Sequence, residues 1–438
     1  MCFGSARSPL DYGLGLTVGD GKVVPEVKYL LKPGLERDIR LLSQEYKSVT
    51  LSVLERALAL GVGDVQLETE FVEPLVLNEG WSETVAAIQK AELTKYNSEH
   101  GIRTALRATI ADVRRFREGL RGGEHFDGMI SSFEGAAKGG ADLLSIESRG
   151  GQEVFSYSLI RNDLGGILFA LGVLAPRDVR FLWRRIAQVR GTIPAGDTAC
   201  ALANSAMVLA GGLSGRRLSH VLAAVVRAMS AVRTLACYEE GAKGPGKDCA
   251  YENAIVKAVT GYPMSMEGKT SAFAHSSLVG NIAASVCDLW SNETIVVDDA
   301  FGGKTPAVIF EMLSYDAAVM NQSIREGSRA FLRDLYVNSD AHRDPQALVL
   351  SPVNAVRIGK AIVSSRTDYE RAVAAGLEAV RIIEEASSKL LLPAAELKYL
   401  SSLKAFLSNA PTEDSLTAEA SHRIGPKVQD FRASNYAL

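Results

Sequence analysis

A chain of 438 residues with 47% hydrophobic and 23% charged side chains can bury a large core and has an ordinary globular composition. Its 48 basic and 51 acidic residues leave a formal charge of −3, which calls for neither nucleic acid nor an anionic membrane surface as partner. No basic stretch followed by an apolar one opens the chain, and the apolar runs at 164–175 and 199–213 are too short to span a bilayer, so the expected place is the cytoplasm.

Residues 1–35 carry Gly and Pro throughout and read as irregular. Helical spacing of Ile39, Leu42, Tyr46, Val49 and Val53 predicts a helix over 36–60, and the alternating run 64–70 predicts a strand. The pattern then repeats: helix 82–100, strand 102–110, helices at 110–120 and 127–139, strand 141–147. Helices over 156–172 and 176–191 precede a short strand at 192–196. Helices at 201–211 and 218–230 lead to a strand at 234–238, and helix 251–261 to a strand at 264–270. Helix 275–290 precedes strand 293–297, and the rest is nearly all helical pattern. No linker interrupts this alternation, which favours one α/β domain, a (β/α)8 TIM barrel, over an open doubly wound sheet. The expected layout is an irregular and helical extension at 1–63, a barrel core at 64–307 and a mostly helical part at 308–438. No GxGxxG follows the first strand, so a dinucleotide site is not supported.

In such a barrel, chemistry sits at the C-terminal ends of the strands. Polar residues there are Glu68, Glu70, Arg107, Glu147 with Ser148, Asp197, Glu239 with Glu240, and Glu267 with Lys269. Five cysteines in a chain this long do not make a disulfide framework, and the six scattered histidines offer no zinc motif. Cys237 and Cys287 lie in apolar patterns and read as small buried hydrophobes, and Cys2 is terminal. Cys200 and Cys249 each lie in a loop entering a helix, where the helix dipole favours a thiolate. Two such thiolates can share one metal ion, most simply Zn²⁺, with a third protein ligand. Glu147 is the best oxygen donor by position, with Glu68, Glu70 and Asp197 as competitors. Without further information, two loop cysteines with no role remain the blander reading.

The stretches Ala141-Asp142-Leu143-Leu144-Ser145-Ile146-Glu147-Ser148, Gly196-Asp197-Thr198-Ala199-Cys200-Ala201-Leu202-Ala203-Asn204, Gly244-Pro245-Gly246-Lys247-Asp248-Cys249-Ala250-Tyr251-Glu252-Asn253 and Met266-Glu267-Gly268-Lys269-Thr270-Ser271 carry a resemblance. The chain resembles the zinc-containing subunit of methanol–corrinoid methyltransferases over nearly its whole length. That resemblance implies a (β/α)8 barrel and a zinc site formed by Glu147, Cys200 and Cys249. It implies transfer of the methanol methyl group to Co(I) of a corrinoid carried by a partner protein. It further implies docking of that partner at the C-terminal face of the barrel, and a homodimer within a heterotetramer. Asp197, Asp248 and Glu267 are candidates for orienting groups or for protonating the leaving oxygen, against a plainer role as helix caps or salt bridges. Arg107, Arg114, Arg115 and Arg117 form a basic cluster, read either as a docking patch or, more simply, as a solvated helix face. The Gly-rich 241–246 loop is a candidate for movement on docking. Two rival readings are the same chemistry on another methyl donor, such as a methoxylated aromatic, and a non-catalytic barrel that docks a corrinoid protein or binds zinc.

Overall fold

The computed structural model describes residues 1–31, 34–211, 217–247, 249, 251–268, 277–295, 299–300 and 302–438. The segment expected to be irregular holds three strands: β1 (Ser5–Tyr12) and β2 (Leu16–Asp20), which form an antiparallel hairpin, and β3 (Val24–Leu30). β3 is the first strand of the parallel sheet, pairing with β4 (Asp64–Phe71). It escaped the sequence reading because its inward residues Glu26 and Lys28 break the apolar run expected of a buried strand, and both are buried in the barrel.

From β4 the sheet runs in order through β5 (Arg103–Ile110), β6 (Leu143–Ile146) and β7 (Ile193–Asp197). On the other side of β3 lie β8 (Ser265–Glu267), β9 (Leu289–Ser291) and β10 (Glu293–Ile295), with β9 and β10 pairing β3. Segment 243–247 stitches β7 to β8. Lys243 N donates to Pro194 O (2.8 Å), Gly246 N to Pro263 O (3.1 Å), and Ser265 N to Gly246 O (3.1 Å). With that segment in the sixth place, the sheet curls round into the expected (β/α)8 barrel.

Several predicted elements shift. The strand expected at 234–238 is the last part of a 20-residue helix, His220–Glu239. Its apolar run alternates no better than it turns, and length favours the helix. Residues 111–123 form a loop rather than a helix, because Arg114 turns inward to pair with Asp112 and Asp178. Residues 275–290 reduce, among the described residues, to helix Gly280–Val286 followed by β9. The helical remainder begins with Thr305–Arg325, which packs on β3 as the barrel's last outer helix. Asp368–Leu390 then lies along His220–Glu239.

Period-2 alternation sorts the barrel interior into layers. At the N-terminal end, Val24, Ala105, Leu143, Ala195 and Leu289 meet Leu16 and Val18 of the hairpin, which plugs the floor. Above them lie Glu26, Gln66, Arg107, Ser145 and Ser265, all buried. Arg107 Nε donates to Glu26 (2.9 Å) and its Nη1 to Ser145 Oγ (2.9 Å).

Candidate metal centre

Glu147, Cys200 and Cys249 follow three consecutive barrel strands: β6, β7 and segment 243–247. Adjacent parallel strands end side by side, so the loops leaving them converge without long excursions. One donor atom from each of the three residues lies within 4.8 Å of the other two, the only such group among the described residues that could hold a metal. Cys249 Sγ is 3.1 Å from Glu147 Oε1. Cys249 is buried, while Cys200 and Glu147 are half-buried, so the cluster is reached from the barrel mouth.

In this structure Cys200 and Cys249 are joined as a disulfide, with Cα atoms 6.5 Å apart. One such pair, with Cys2, Cys237 and Cys287 free, is not a disulfide framework. The proximity that lets two sulfurs bond also lets two thiolates share an ion, but only after reduction. The donor set, two sulfurs and a carboxylate, is chemically suited to Zn²⁺ in a site that leaves one position open.

The competitors of Glu147 do not join the two cysteines in a group that could share an ion. Glu68 accepts from Thr109 Oγ1 (2.7 Å) and pairs with Lys247 (2.5 Å), and Glu70 pairs with Lys28 (2.7 Å). Two buried lysines, missed from sequence, adjoin the Glu147 carboxylate: Lys247 Nζ at 3.2 Å and Lys28 Nζ at 3.6 Å. Lys28 also reaches Glu267, buried at the end of β8, at 3.7 Å. Lys28 therefore links the acid expected from β8 to the cluster. Asp248 and Lys269 lie outside the described residues.

Asp197 is placed as a bracket. Its buried carboxylate accepts from Ser148 N (3.0 Å), Ser148 Oγ (2.7 Å), Trp183 Nε1 (3.0 Å), Thr198 N (2.7 Å) and Arg233 Nη2 (2.7 Å). It thereby ties the residue after Glu147 to the loop carrying Cys200. Glu252 repeats the device one loop further on. It accepts from Ala199 N (2.9 Å), Arg227 Nη1 (3.0 Å) and Thr234 Oγ1 (3.1 Å), joining the Cys200 and Cys249 loops. Arg227 also donates to Asn204 Oδ1 (2.8 Å). Burial draws the Arg227 guanidinium below its ordinary pKa, with Glu252 opposing. Both arginines come from His220–Glu239, a helix long and apolar enough by composition to cross a membrane but buried inside this protein. Two arginines in an otherwise apolar helix were the available signal, since a buried charge must be paired.

The loop after Glu147 is held at further points. Arg149 N donates to Asp112 (2.9 Å), and Gly151 N to Tyr436 Oη (2.9 Å). At Gly150 a Cβ would stand 2.3 Å from Asp178 Oδ2, so no other residue fits. Arg114 lies between Asp112 and Asp178. Burial opposes its charge, but the two carboxylates push its pKa well above the usual value. Arg107 and Arg114 are thus buried structural groups, and Arg115 and Arg117 pair with Glu73 and Asp430, so the four do not form one basic docking patch. The 241–246 segment, a candidate for movement on docking, is held here by strand-like bonds and by Arg107 Nη1 donating to Pro245 O (3.0 Å).

A cavity of about 250 Å³ opens beside Glu147, lined by Glu70, Thr109, Asp112 and Arg149 among others. Fold and site together define a parallel α/β-barrel protein with a sulfur–carboxylate cluster at its catalytic face. Residues 1–437 match the family model described as the methanol–cobalamin methyltransferase B subunit, and the chain belongs to that family. It is 44% identical to a methanol–corrinoid protein co-methyltransferase of Methanosarcina barkeri, over all of this chain and 96% of that protein. It also superimposes on a chain of the crystal structure of the methanol:cobalamin methyltransferase complex from Methanosarcina barkeri. The TM-score there is 0.96 at 42% identity, covering all of this chain and 97% of the other.

Proposed function

We propose that this chain binds Zn²⁺ through Glu147, Cys200 and Cys249 and transfers the methyl group of methanol to Co(I) of a corrinoid held by a partner protein. The observation that carries this reading is the meeting of those three donors at consecutive strand ends. The names of its relatives, which act on methanol and a corrinoid protein, support it. Zinc bound there supplies a Lewis acid that stabilises negative charge developing on the alcohol oxygen as carbon–oxygen cleavage proceeds.

The chain's own residues prepare that site. Lys28 and Lys247 fix the Glu147 carboxylate and offset part of the acid excess formed with Glu68, Glu70 and Glu267. Asp197 and Glu252 set the loop spacing through Arg233 and Arg227. Asp197, filled by five donors, positions the loops, so the proton for the leaving oxygen comes from another group. The cavity beside Glu147 has ample room for methanol. The corrinoid protein docks on the C-terminal face, toward which half-buried Glu147 and Cys200 open. Thiolates persist in a reducing compartment, which supports a cytoplasmic reaction. Exposed Met312, Tyr315 and Val319, on one face of Thr305–Arg325, supply apolar area for a homodimer carrying two corrinoid partners.

The test assays the reduced protein for zinc content and for methyl transfer to Co(I)-corrinoid protein, with methanol and a methoxyarene side by side. The expected result is one zinc per chain and transfer from methanol, both lost in Cys249→Ser. Full zinc content and activity in that variant would sink the assigned site. Transfer from the methoxyarene alone would overturn the substrate.

A further inference from the structure

We propose that the chain carries a second binding site, for the phosphate group of a small metabolite, in a basic cavity beneath the barrel floor. The cavity measures about 510 Å³ and is lined by Cys2, Arg7, Lys257, Arg329, Arg333 and Val356 among others. In a barrel of this kind outer helices end at the N-terminal side of the sheet. The cavity lies where helices Asn253–Thr260 and Thr305–Arg325 end, on the side opposite the sulfur cluster.

Four cationic side chains face this space, and nearby acids answer only two of them. Lys257 pairs with buried Asp288 (2.8 Å), and Arg333 with Asp334 (2.7 Å). Arg7 donates to two backbone carbonyls, Ala258 O and Val259 O (both 3.0 Å). Among the described residues neither Arg7 nor half-buried Arg329 has a carboxylate partner.

The placement of Arg329 and Arg333 is unfavourable without an anion. They stand one turn apart on helix Arg329–Asp340, where like charges repel. Arg329 also opens that helix, where the macrodipole disfavours cations. The Cys2 thiol reports how closely the cations gather. Burial raises its pKa, while Arg329, Arg333 and Lys257 draw it back down. An oxyanion with three or more oxygens relieves the repulsion and satisfies guanidinium forks. Val356 and Ala258 on the same wall suit an apolar portion beyond the phosphate. The volume falls in the range of small-molecule sites.

The experiment titrates the full chain with inorganic phosphate and with phenyl phosphate by calorimetry at constant ionic strength. Iodoacetamide labelling of Cys2, read by peptide mass, follows the site itself. Expected are saturable one-to-one binding, tighter for phenyl phosphate, and slower Cys2 labelling when phosphate is bound. Arg329→Glu and the milder Arg329→Ala should weaken binding about tenfold or more, whereas Arg115→Glu, at the opposite end of the barrel beside Glu73, should not. Non-saturable heats, unchanged affinity in both Arg329 variants, or Cys2 labelling indifferent to phosphate would each overturn the site. Zinc content and methyl transfer are measured separately, so failure here leaves the metal assignment standing.

Discussion

The two ends of this barrel are built on opposite principles. The floor is mainly apolar: Leu16 and Val18 of the hairpin pack on Val24, Leu143 and Leu289, with the single buried pair Lys257–Asp288 beside them. The mouth is crowded with buried ions, including Glu68, Glu267, Lys28 and Lys247, and is held by the Asp197–Arg233 and Glu252–Arg227 pairs. Burying apolar surface stabilises without direction, whereas a buried ion pair contributes little net stability but fixes geometry once desolvated. This fold draws stability from its closed end and precision from its open one.

Breaking a mouth bracket should produce the largest effect. Arg233→Met leaves the Asp197 carboxylate buried without its cation, an expected loss of about 3–5 kcal/mol in urea unfolding. Zinc affinity should fall about 10–100-fold, with partial recovery in Arg233→Lys. A drop in stability with zinc affinity untouched would show that the bracket does not position the ligands. The floor should behave in the converse manner. Leu16→Ala is expected to cost about 3 kcal/mol while kcat and KM for methyl transfer stay unchanged.

A smaller, pH-dependent effect sharpens the picture at the side of the mouth. Burial raises the Glu153 carboxyl from 4.5 to about 7, with its Tyr436 hydrogen bond opposing. A folded pKa above the unfolded one means the contribution is full below pH 4.5 and is lost as pH rises through about 7. Stability should therefore decline across that window by at most about 3 kcal/mol, and Glu153→Gln should flatten the decline. A profile identical in both proteins would remove Glu153 as its source. The least effect belongs to the exposed rim, where Arg115 pairs with Glu73. Arg115→Ala should change stability by less than about 1 kcal/mol and leave corrinoid-protein affinity as it was.

Local patterning determined much of this molecule from sequence. The alternation at 64–70 and the helical spacing at 36–60 announced β4 and Ile39–Ala59 because each lies within one element's own periodicity. The strand-end places of Glu147 and Cys200 were legible in that alternation, but their grouping with Cys249 was read from the motifs around them, because the strand expected before Cys249 is a helix. Tertiary structure alone decided what periodicity does not encode. β3 became a strand through its neighbours β4 and β9, although its sequence carries Glu26 and Lys28. Residues 243–247 took the sixth strand's place because a helix consumed 234–238, and only Gly fits at 246, where a Cβ would meet Met264 Sδ at 2.4 Å. The ion pairs Arg233–Asp197 and Arg227–Glu252 join residues far enough apart in sequence that charge alone could not match them. Such pairing is settled by which groups the fold desolvates together, a property of the assembled barrel and not of any segment.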